Sequence, residues 1–444
     1  MSKPLQLLEC TGDPPGCAAD LERLWQEGAG VALVAPQERS WLEAQLPAEG
    51  LVLDEAAIVL GSGGSSGGRR WCVQPLSHLQ ASARACGTWL QAQGFEPGVC
   101  ELFNALPLHH ISGLMPVLRA RCWGGRLRWL PPPLLRDGAG LLAGAMPDPQ
   151  RPALISLVPT QLQRLLDQPD GVRWLQRFQL IWVGGAALSP DLAQRCRAHG
   201  LPLSPCYGST ETAAMVAALP PQRFLAGEEG CGEALPHAEL ALEAGSGALR
   251  IRASSLALGT LEAGRLEPLP LQDGWWSSGD AARLDGGGLR LLGRLDGAIS
   301  SGGETVFPEQ VRERLLARIR AEALPVAELL LLGEPDPLWG ERLVALVRRQ
   351  PGEGAGRGAP SGGPEAPGPA DAGPPSLAGT GRCESGLERQ AALLARLEAL
   401  SRELPASMRP RRWLVCDALQ AGAAGKWDRR RWQAWLQGQA AADG

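Results

Sequence analysis

The chain has 444 residues, of which 44% are hydrophobic, and its formal net charge is −4 at pH 7. This length allows two or three domains, and the slight negative charge gives no basic surface for binding nucleic acid. The 11 cysteines include no Cys-x-x-Cys pair, which argues against a zinc site and a disulfide framework and favours a reducing cytoplasm. We predict neither a signal peptide nor a membrane-spanning segment.

Strands and helices are predicted to alternate along most of the chain. Residues 1–50 are interpreted as a short helical or irregular lead-in. The periodicity predicts buried strands at 56–60, 153–158 and 180–183, and helices at 76–93 and 159–166. This alternation is typical of an α/β fold with a mainly parallel sheet. Shorter, glycine-rich alternating segments predict a β subdomain over about residues 230–293.

A turn at residues 293–297 divides the chain. The sequence predicts a large N-terminal domain over 1–293 and a small α+β C-terminal domain over 294–444. Residues 351–386 are dominated by Gly and Pro and cannot supply a core, so they are predicted to be a disordered insertion. A predicted strand at 343–347 and a predicted helix at 387–404 place this insertion within the C-terminal domain.

Lysine and tyrosine are almost absent from the chain. Lys3 and Lys426 are the only lysines, and Tyr207 is the only tyrosine. Arginine can replace lysine as a solvated charge, but not where a compact ammonium must enter a site. The retention of Lys426 beside Gly425 therefore favours a chemical role. The alternative is that Lys426 has no function and that its position is a matter of chance.

A loop rich in glycine and serine follows the predicted strand at 56–60. Consecutive glycines let backbone N–H groups turn toward a phosphate. The candidate anion ligands are Ser62, Ser65, Ser66, Gly67 and Arg70. The Gly-Lys-Ser/Thr sequence of a Walker loop is absent, and a merely flexible loop is an equal alternative.

Two short motifs each contain an acidic residue. Residues 207–212 offer the aromatic face of Tyr207, a hydroxyl and the carboxylate of Glu211, which could hold Mg²⁺. Residues 274–280 end in Asp280, which could bind the two hydroxyls of a ribose. Taken singly, the first motif could also be a capped helix N-terminus and the second an ordinary turn.

His109 and His110 stand beside an apolar run. One of them could line a pocket for a carboxylate, but a lone histidine is more often a packing residue. No third ligand at suitable spacing indicates a metal.

The order of these motifs resembles the adenylate-forming superfamily of acyl- and aryl-CoA ligases, luciferases and peptide-synthetase adenylation domains. The resemblance runs from about residue 56 to residue 430. The matching segments are 62–70 (phosphate loop), 207–212, 276–280, 293–296 (hinge), 333–341 and 425–426 (lysine segment). Segments 107–114 and 156–162 further resemble o-succinylbenzoate–CoA ligases of menaquinone and phylloquinone biosynthesis.

The resemblance implies ATP-dependent ligation of o-succinylbenzoate to CoA through an acyl-adenylate, with Mg²⁺, releasing AMP and pyrophosphate. Lys426 would bridge the carboxylate and the α-phosphate, Glu211 with Thr210 would hold Mg²⁺, and His110 would line the acyl pocket. The nucleotide ligands would be Ser62, Ser65, Ser66, Gly67, Arg70, Gly184, Gly185, Ala186, Tyr207, Gly208, Thr210, Asp280 and Arg294. The small domain would rotate about Asp296 and bring Ser301, Gly302 and Gly303 to a CoA tunnel.

The phosphate loop departs from the family pattern. Gly63, Arg69 and Arg70 stand where the family has Ser, Pro and Lys, and the loop comes earlier in the chain than in relatives. Two alternatives are therefore kept: another aryl- or acyl-CoA ligase, and a non-catalytic relative that binds a nucleotide or an acyl group. The retention of Lys426 and Glu211 favours an enzyme.

Overall fold

A computed structural model describes residues 5–47, 51, 53, 55–63, 69–350, 386–421 and 427–442. Contacts divide the chain into a larger unit (residues 1–298 and 421–444) and a smaller unit (residues 299–420). The predicted boundary at residue 293 and the predicted rotation of residues 294–444 stay predictions. The predicted insertion, except for Gly386, lies outside the described residues.

The described residues form strands and helices as follows. The strands are β1 (Gln6–Glu9), β2 (Val31–Val34), β3 (Ala57–Gly63), β4 (Arg69–Pro75), β5 (Glu101–Asn104), β6 (Arg126–Trp129), β7 (Ala153–Leu157), β8 (Leu180–Val183), β9 (Leu203–Ser209), β10 (Ala214–Ala218), β11 (Glu233–Ala234), β12 (Ala238–Leu242), β13 (Ala248–Ala253), β14 (Gly259–Glu262), β15 (Arg265–Pro268), β16 (Leu271–Gln272), β17 (Trp275–Asp285), β18 (Gly288–Arg294), β19 (Ile299–Ser301), β20 (Glu304–Val306), β21 (Val326–Asp336), β22 (Gly340–Arg349) and β23 (Arg412–Val415). The α-helices are α1 (Pro14–Gln26), α2 (Arg39–Glu43), α3 (Leu76–Ala92), α4 (Ile111–Trp123), α5 (Gly138–Gly144), α6 (Pro159–Leu166), α7 (Pro169–Leu175), α8 (Pro190–Ala198), α9 (Pro221–Leu225), α10 (Pro308–Ala321), α11 (Gly386–Ser401) and α12 (Arg429–Ala442).

Three sheets build the larger unit. The first has the order β1-β2-β3-β4-β14-β15, the second β11-β10-β9-β8-β7-β5-β6, and the third β12-β13-β17-β16 with β18 paired to β17. In the second sheet the five strands from β6 to β9 are parallel, whereas β10 and β11 are antiparallel. This mainly parallel sheet with helices on it confirms the α/β class predicted from the alternating pattern.

Residues 1–50 are interpreted from the sequence as a short helical or irregular lead-in; α1 and α2 confirm the helical part, but the interpretation misses two strands. β1 pairs in parallel with β2, and β2 pairs in parallel with β3, so both strands extend the first sheet. Each strand is only four residues long, and β2 is buried on both faces. Neither strand therefore shows the alternation of apolar and polar residues by which a strand is recognised.

Helices α3 and α4 form a layer between the first and second sheets. Leu79 of α3 packs with Ile58 of β3 in one core. Trp89, on another side of α3, packs with Trp182 of β8 in a second core. Because α3 contacts both sheets, more of its surface is apolar than the single face that the sequence predicts.

The smaller unit contains one sheet with the order β20-β19-β22-β21, and β23 pairs in parallel with β22. Helices α10 and α11 pack on this sheet through one apolar cluster. β22 confirms the strand predicted at 343–347, and α11 confirms the helix predicted at 387–404 to within three residues at its end.

Among the described residues, no helix is both long and apolar enough to cross a membrane. The ten cysteines in this part of the chain are free thiols. The same residues contain no group of three or more His, Cys, Asp or Glu that could hold a metal ion.

His237, next to β12, is expected to make the stability of the larger unit depend on pH. Neither ring nitrogen has a hydrogen-bond partner among the described residues, and burial lowers the pKa of this imidazole to about 4. Because the unfolded chain binds this proton more readily, the free energy of unfolding should fall as the pH decreases from about 6.5 to about 4. The loss should be roughly 1.4 kcal/mol for each unit of pKa shift.

Thermal unfolding of the wild type and His237→Gln, at neutral pH and near pH 4.5, measures this effect. The variant should lose less stability on acidification, whereas His199→Gln, which changes an exposed histidine, should behave like the wild type. An equal loss in all three proteins would contradict the prediction.

Candidate active site

Four neighbouring parallel strands, β5, β7, β8 and β9, end at one edge of the second sheet. β6 lies on one side of β5 and β7 on the other, so the order of the strands reverses at β5. Ligands of open α/β sheets bind in the crevice at the carboxyl ends of the strands, next to such a reversal. The loops that follow these strands are 105–110, 158, 184–189 and 210–213.

Tyr207 on β9 connects the second sheet to the third. Its hydroxyl donates a hydrogen bond of 2.5 Å to Oδ2 of Asp280 on β17. The side chain is 8% exposed, and burial together with the charge of Asp280 raises the pKa of the phenol. Tyr207 therefore stays protonated and holds in place the carboxylate predicted to bind a ribose.

Arg294 makes the second contact to Asp280. The antiparallel pairing of β17 and β18 places these two residues directly opposite each other. The Arg294 guanidinium lies 3.4 Å from Oδ1 of Asp280 and donates to the carbonyl of Ser278 at 2.8 Å. It also donates to both carboxylate oxygens of Asp296, at 3.2 and 3.0 Å. The structure thus brings Tyr207, Asp280, Arg294 and Asp296 together in one network.

The turn at Gly184, Gly185 and Ala186 follows β8 and lies beside β9. A Cβ on Gly184 would lie 2.9 Å from Sγ of Cys206, the residue before Tyr207. Gly185 has a φ of +79°, which favours glycine. The turn therefore packs against β9 at the residue before Tyr207, and contact of the turn or of Tyr207 with an adenine stays a prediction.

A tight reversal joins β9 to β10. Oγ1 of the fully buried Thr212 accepts a hydrogen bond from the N–H of Ser209 at 2.9 Å and donates to the carbonyl of Ala214 at 2.7 Å. Ala213 and Ala214 have φ values of 51° and 72°, in the left-handed region that residues with a Cβ disfavour. Because residues 207–212 form a strand and a turn, the alternative of a capped helix N-terminus is wrong.

Glu211 lies in this reversal, close to β4. Within the described part of the chain its half-buried carboxylate has no hydrogen bond or ion pair. Burial and then the charge of Glu211 raise the pKa of the Cys72 thiol on β4. The fully buried Gln74 of β4 donates a hydrogen bond of 2.6 Å to the carbonyl of Thr210. These contacts tie the reversal to the strand that follows the predicted phosphate loop.

A single available carboxylate suits Mg²⁺ that arrives with a nucleotide. Mg²⁺ keeps several waters and binds through one or two protein oxygens plus phosphates. Glu211, with the hydroxyl of Thr210, fits this role. A metal centre made by the protein alone would need more ligands than the described residues gather at any point.

The predicted phosphate loop connects β3 and β4. Ser62 lies opposite Arg70 in this hairpin; Ser62 is buried, whereas Arg70 is exposed. The other predicted phosphate ligands, Ser65, Ser66 and Gly67, lie outside the described residues. Strand β4, which follows the loop, is therefore placed near Glu211, and the phosphate contacts stay predictions.

His110 immediately precedes α4 at the carboxyl end of β5. Asn104, which is 1% exposed, donates to the carbonyl of Gly113 at 2.8 Å and accepts from the N–H of Leu106 at 3.1 Å. A Cβ on Gly113 would overlap the carbonyl oxygens of Leu106 and Pro107, so the loop can close in this way only with glycine. His110 thus lies at the same edge of the sheet as Tyr207, where the acyl pocket is predicted.

The remaining predicted residues are Ser301, Gly302, Gly303 and Lys426. Ser301, Gly302 and Gly303 belong to the smaller unit. Gly302 and Gly303, with φ values of 62° and 82°, form the two-residue turn between β19 and β20, which is typical of type I′ hairpins. The conformation of this turn is therefore sufficient to explain why both positions are glycine, without a role in binding CoA. Lys426 lies outside the described residues. The roles of this turn and of Lys426 stay predictions.

Sequence reasoning missed several polar residues that hold the site. Gln74 and Asn104 fix the two loops described above, and Ser278 accepts a hydrogen bond from the N–H of Asp280 at 3.2 Å. Gln74 and Asn104 are polar residues next to apolar ones in β4 and β5. Buried polar side chains in such positions are normally hydrogen-bonded, so they were a usable signal.

Gly208→Ala is expected to lower the free energy of unfolding by about 3 kcal/mol. A Cβ at this position would overlap the carbonyl of Ala214, so β10 would have to move. Gly144→Ala is the matched control, because a Cβ there would have no heavy atom within 4 Å. Urea unfolding should show a large loss for the first variant and little change for the second; similar curves would contradict the prediction.

A family model described as "AMP-binding enzyme" matches residues 19–253, which is more than half of the chain. The matched residues include the parallel strands of the second sheet and the reversal at Glu211.

The curated relatives include 2-succinylbenzoate–CoA ligases. The one from Listeria monocytogenes is 27% identical over 321 residues, which cover 72% of this chain and 65% of that ligase. The one from Enterococcus faecalis is 29% identical over 322 residues, which cover 69% and 61% of the two chains. The alignments thus span less than two thirds of the length of these relatives.

Solved structures of similar fold include o-succinylbenzoate CoA synthetase from Bacillus subtilis in complex with its acyl-adenylate intermediate. Its TM-score is 0.72 at 19% identity, with 97% of this chain and 87% of that chain covered. Wild-type E. coli MenE with a bound m-phenylether-linked analogue of OSB-AMS has a TM-score of 0.64 at 23% identity, with 98% of this chain and 89% of that chain covered. At these identities the likeness shows a shared fold.

Proposed function

This chain belongs to the AMP-binding enzyme family, and we propose that it is an o-succinylbenzoate–CoA ligase that forms an acyl-adenylate and releases AMP and pyrophosphate. The observation that carries this proposal is the network of Tyr207, Asp280 and Arg294 beside the Gly184 turn. Its aromatic ring, carboxylate and guanidinium are suited to an adenosine. The two named relatives supply the substrate: both are 2-succinylbenzoate–CoA ligases.

In the first half-reaction, a carboxylate oxygen of the substrate attacks the α-phosphorus of ATP. A new oxygen–phosphorus bond forms, the bond from the α-phosphorus to the bridging oxygen breaks, and pyrophosphate leaves. Both reactants are anions, so the protein must align them and neutralise their charge. Mg²⁺, when bound with ATP, would neutralise part of the phosphate charge.

The described residues would supply most of the alignment. Tyr207 and the Gly184 turn would flank the adenine, and Asp280 would accept hydrogen bonds from the ribose. Glu211 with Thr210 would hold Mg²⁺, and the stems of the phosphate loop would lead Ser62 and Arg70 toward the phosphates. Lys426 would provide the positive charge between carboxylate and phosphate.

In the second half-reaction, the CoA sulfur attacks the carbonyl carbon of the adenylate. A carbon–sulfur bond forms, AMP leaves with the former carboxylate oxygen, and the thiol proton is released. Rotation of residues 294–444 about Asp296 would exchange Lys426 for the turn at Ser301, Gly302 and Gly303. His110 would stay at the acyl group throughout.

We place this activity in the cytoplasm, in the biosynthesis of menaquinone or phylloquinone. The free thiols of the described residues support a reducing compartment. The acid, ATP and CoA are the partners of the proposed reaction, and nothing in the charge distribution calls for a nucleic acid.

The test is mass spectrometry of the products formed from ATP, Mg²⁺, CoA and o-succinylbenzoate. Formation of o-succinylbenzoyl-CoA and AMP supports the proposal. Products from benzoates or fatty acids, but not from o-succinylbenzoate, would mean that another acyl- or aryl-CoA ligase is correct. Binding of ATP without any product would favour the non-catalytic relative.

A further inference from the structure

Two cysteines near the start of the larger unit have their sulfur atoms in contact. Sγ of Cys10 and Sγ of Cys17 lie 3.5 Å apart and share a hydrogen bond. Cys10 directly follows β1 and is partly exposed, whereas Cys17 is the fourth residue of α1 and is 7% exposed. Both are free thiols in this structure. The fold thus places two reducing groups side by side at the surface of one core.

The backbone fixes the positions of both cysteines. The N–H of Cys10 donates to the carbonyl of Val34 at 2.8 Å, which continues the pairing of β1 with β2. The N–H of Cys17 donates to the carbonyl of Asp13 at 3.1 Å, and the Asp13 carboxylate caps α1 by accepting from the N–H of Gly16 at 3.2 Å. Reactive groups that a fold holds in contact combine as if at a high effective concentration.

The sulfur of Cys10 is the one that can move. A disulfide bond measures about 2.0 Å, so the two sulfurs must approach each other by about 1.5 Å. Cys17 belongs to a close-packed apolar core with Leu33 and Ile58. Cys10 packs only at the margin of that core, and β1 is the end strand of the first sheet. The Cys10 side chain can therefore turn toward Cys17 while the core keeps its packing.

The surroundings of the pair favour a negative charge on Cys17. The hydrogen bond from Cys10 lowers the pKa of the Cys17 thiol, although burial and the charges of Asp20 and Asp13 act against it. That hydrogen bond, together with burial and the charge of Cys17, raises the pKa of the Cys10 thiol. The partial positive charge of a helix N-terminus also stabilises a thiolate. Cys10 thus holds the proton that the two sulfurs share, and Cys17 is the sulfur that ionises.

We infer that Cys10 and Cys17 are a redox-sensitive pair, which forms a reversible disulfide when it meets a disulfide oxidant such as oxidised glutathione. In proteins of a reducing compartment such disulfides are transient and report on the redox state. This inference does not depend on the proposed ligase activity.

The reaction proceeds by two exchanges of thiol and disulfide. As the proton of Cys10 passes to the sulfur of Cys17, the partly exposed Cys10 sulfur attacks oxidised glutathione, and the first glutathione leaves as a thiolate. Cys17 then loses its proton to water and attacks the sulfur of Cys10, so the second glutathione leaves. Two protein thiols are oxidised, and oxidised glutathione is reduced to two molecules of glutathione, which take up the two protons.

The disulfide would attach the end of β1 to the start of α1. It would close the chain between residues 10 and 17, which reduces the conformational freedom of the unfolded chain and stabilises the folded one. Oxidation should therefore raise the thermal unfolding midpoint of the larger unit by about 2 to 5 °C. Reduction with dithiothreitol should reverse this shift.

Mass spectrometry of the full-length chain tests the inference. The protein is incubated with reduced or with oxidised glutathione, stopped with acid, unfolded, alkylated and digested with trypsin. The tryptic peptide that ends at Arg23 contains Cys10 and Cys17 and no other cysteine. With reduced glutathione this peptide should carry two alkyl groups. With oxidised glutathione it should carry none and be lighter than the dithiol peptide by two hydrogen atoms.

Three variants accompany this experiment. Cys10→Ser and Cys17→Ser each remove one sulfur of the pair, so both should lose the internal disulfide and the shift of the unfolding midpoint. Cys122→Ser is the matched control, because it removes another partly exposed thiol of the same unit. This control should oxidise as the wild type does.

Three results would overturn the inference. They are a fully alkylated peptide after oxidation of the wild type, a glutathione that stays on Cys10 without closure of the disulfide, and a disulfide that forms instead between other cysteines such as Cys206 and Cys231. Formation of o-succinylbenzoyl-CoA is measured separately, so a failure of the proposed function leaves the result for this pair unchanged.

Discussion

Replacing Lys426 with alanine is expected to slow formation of the acyl-adenylate by about 100- to 1,000-fold. The attacking carboxylate and the α-phosphate repel each other, and a lysine between them would stabilise the charge of the transition state. Arginine is abundant elsewhere in this chain, yet this position keeps lysine. Exchange of labelled pyrophosphate into ATP, in the presence of o-succinylbenzoate, measures this half-reaction alone.

The control for this prediction is Lys3→Ala, which removes the other lysine of the chain and should leave the exchange rate unchanged. Thioester formation from preformed o-succinylbenzoyl-adenylate and CoA should continue in Lys426→Ala, because the lysine acts in the first half-reaction. Normal exchange in Lys426→Ala, or an equal loss of both half-reactions, would refute the assigned role.

Asp280→Ala should lower kcat/KM for ATP by about 100-fold or more. The change removes the carboxylate proposed to bind the ribose and leaves the buried Tyr207 hydroxyl without its 2.5 Å acceptor. It also frees Arg294 from one of its two carboxylates. Tyr207→Phe removes only one hydrogen bond from this network, so its effect should be smaller and in the same direction.

Asp285→Ala is the matched control, because this exposed aspartate ends the same strand, β17. Steady-state kinetics with varied ATP should show a raised KM for Asp280→Ala and wild-type values for Asp285→Ala. A loss confined to the KM for o-succinylbenzoate would mean that Asp280 serves the acyl group and that the adenosine lies elsewhere.

The parts of the fold that the sequence predicts well are those with a strong local pattern. Helix α6 and strand β8 have the predicted bounds. β1 and β2 could not be recognised, because their hydrogen bonds come from strands distant in sequence and a strand of four residues is too short to show a period. The pairing of β14 and β15 with β4 is likewise a long-range contact with no local signal.

For the site, motifs predicted which residues lie near each other, but not what holds them. The adjacency of Asp280 and Arg294 follows from the register of β17 and β18, which the sequence does not display. Burial and satisfaction of hydrogen bonds belong to the folded chain as a whole, and a short pattern contains neither.

The two left-handed alanines after Thr212 have a consequence for evolution and engineering. Each such residue costs roughly 1–2 kcal/mol relative to an ordinary backbone conformation, and glycine would relieve that cost. Ala213 and Ala214 thus store free energy next to Glu211. Selection for heat resistance should therefore favour glycine at these two positions. Any decrease in turnover that accompanies the substitution would measure what the strained backbone contributes to catalysis.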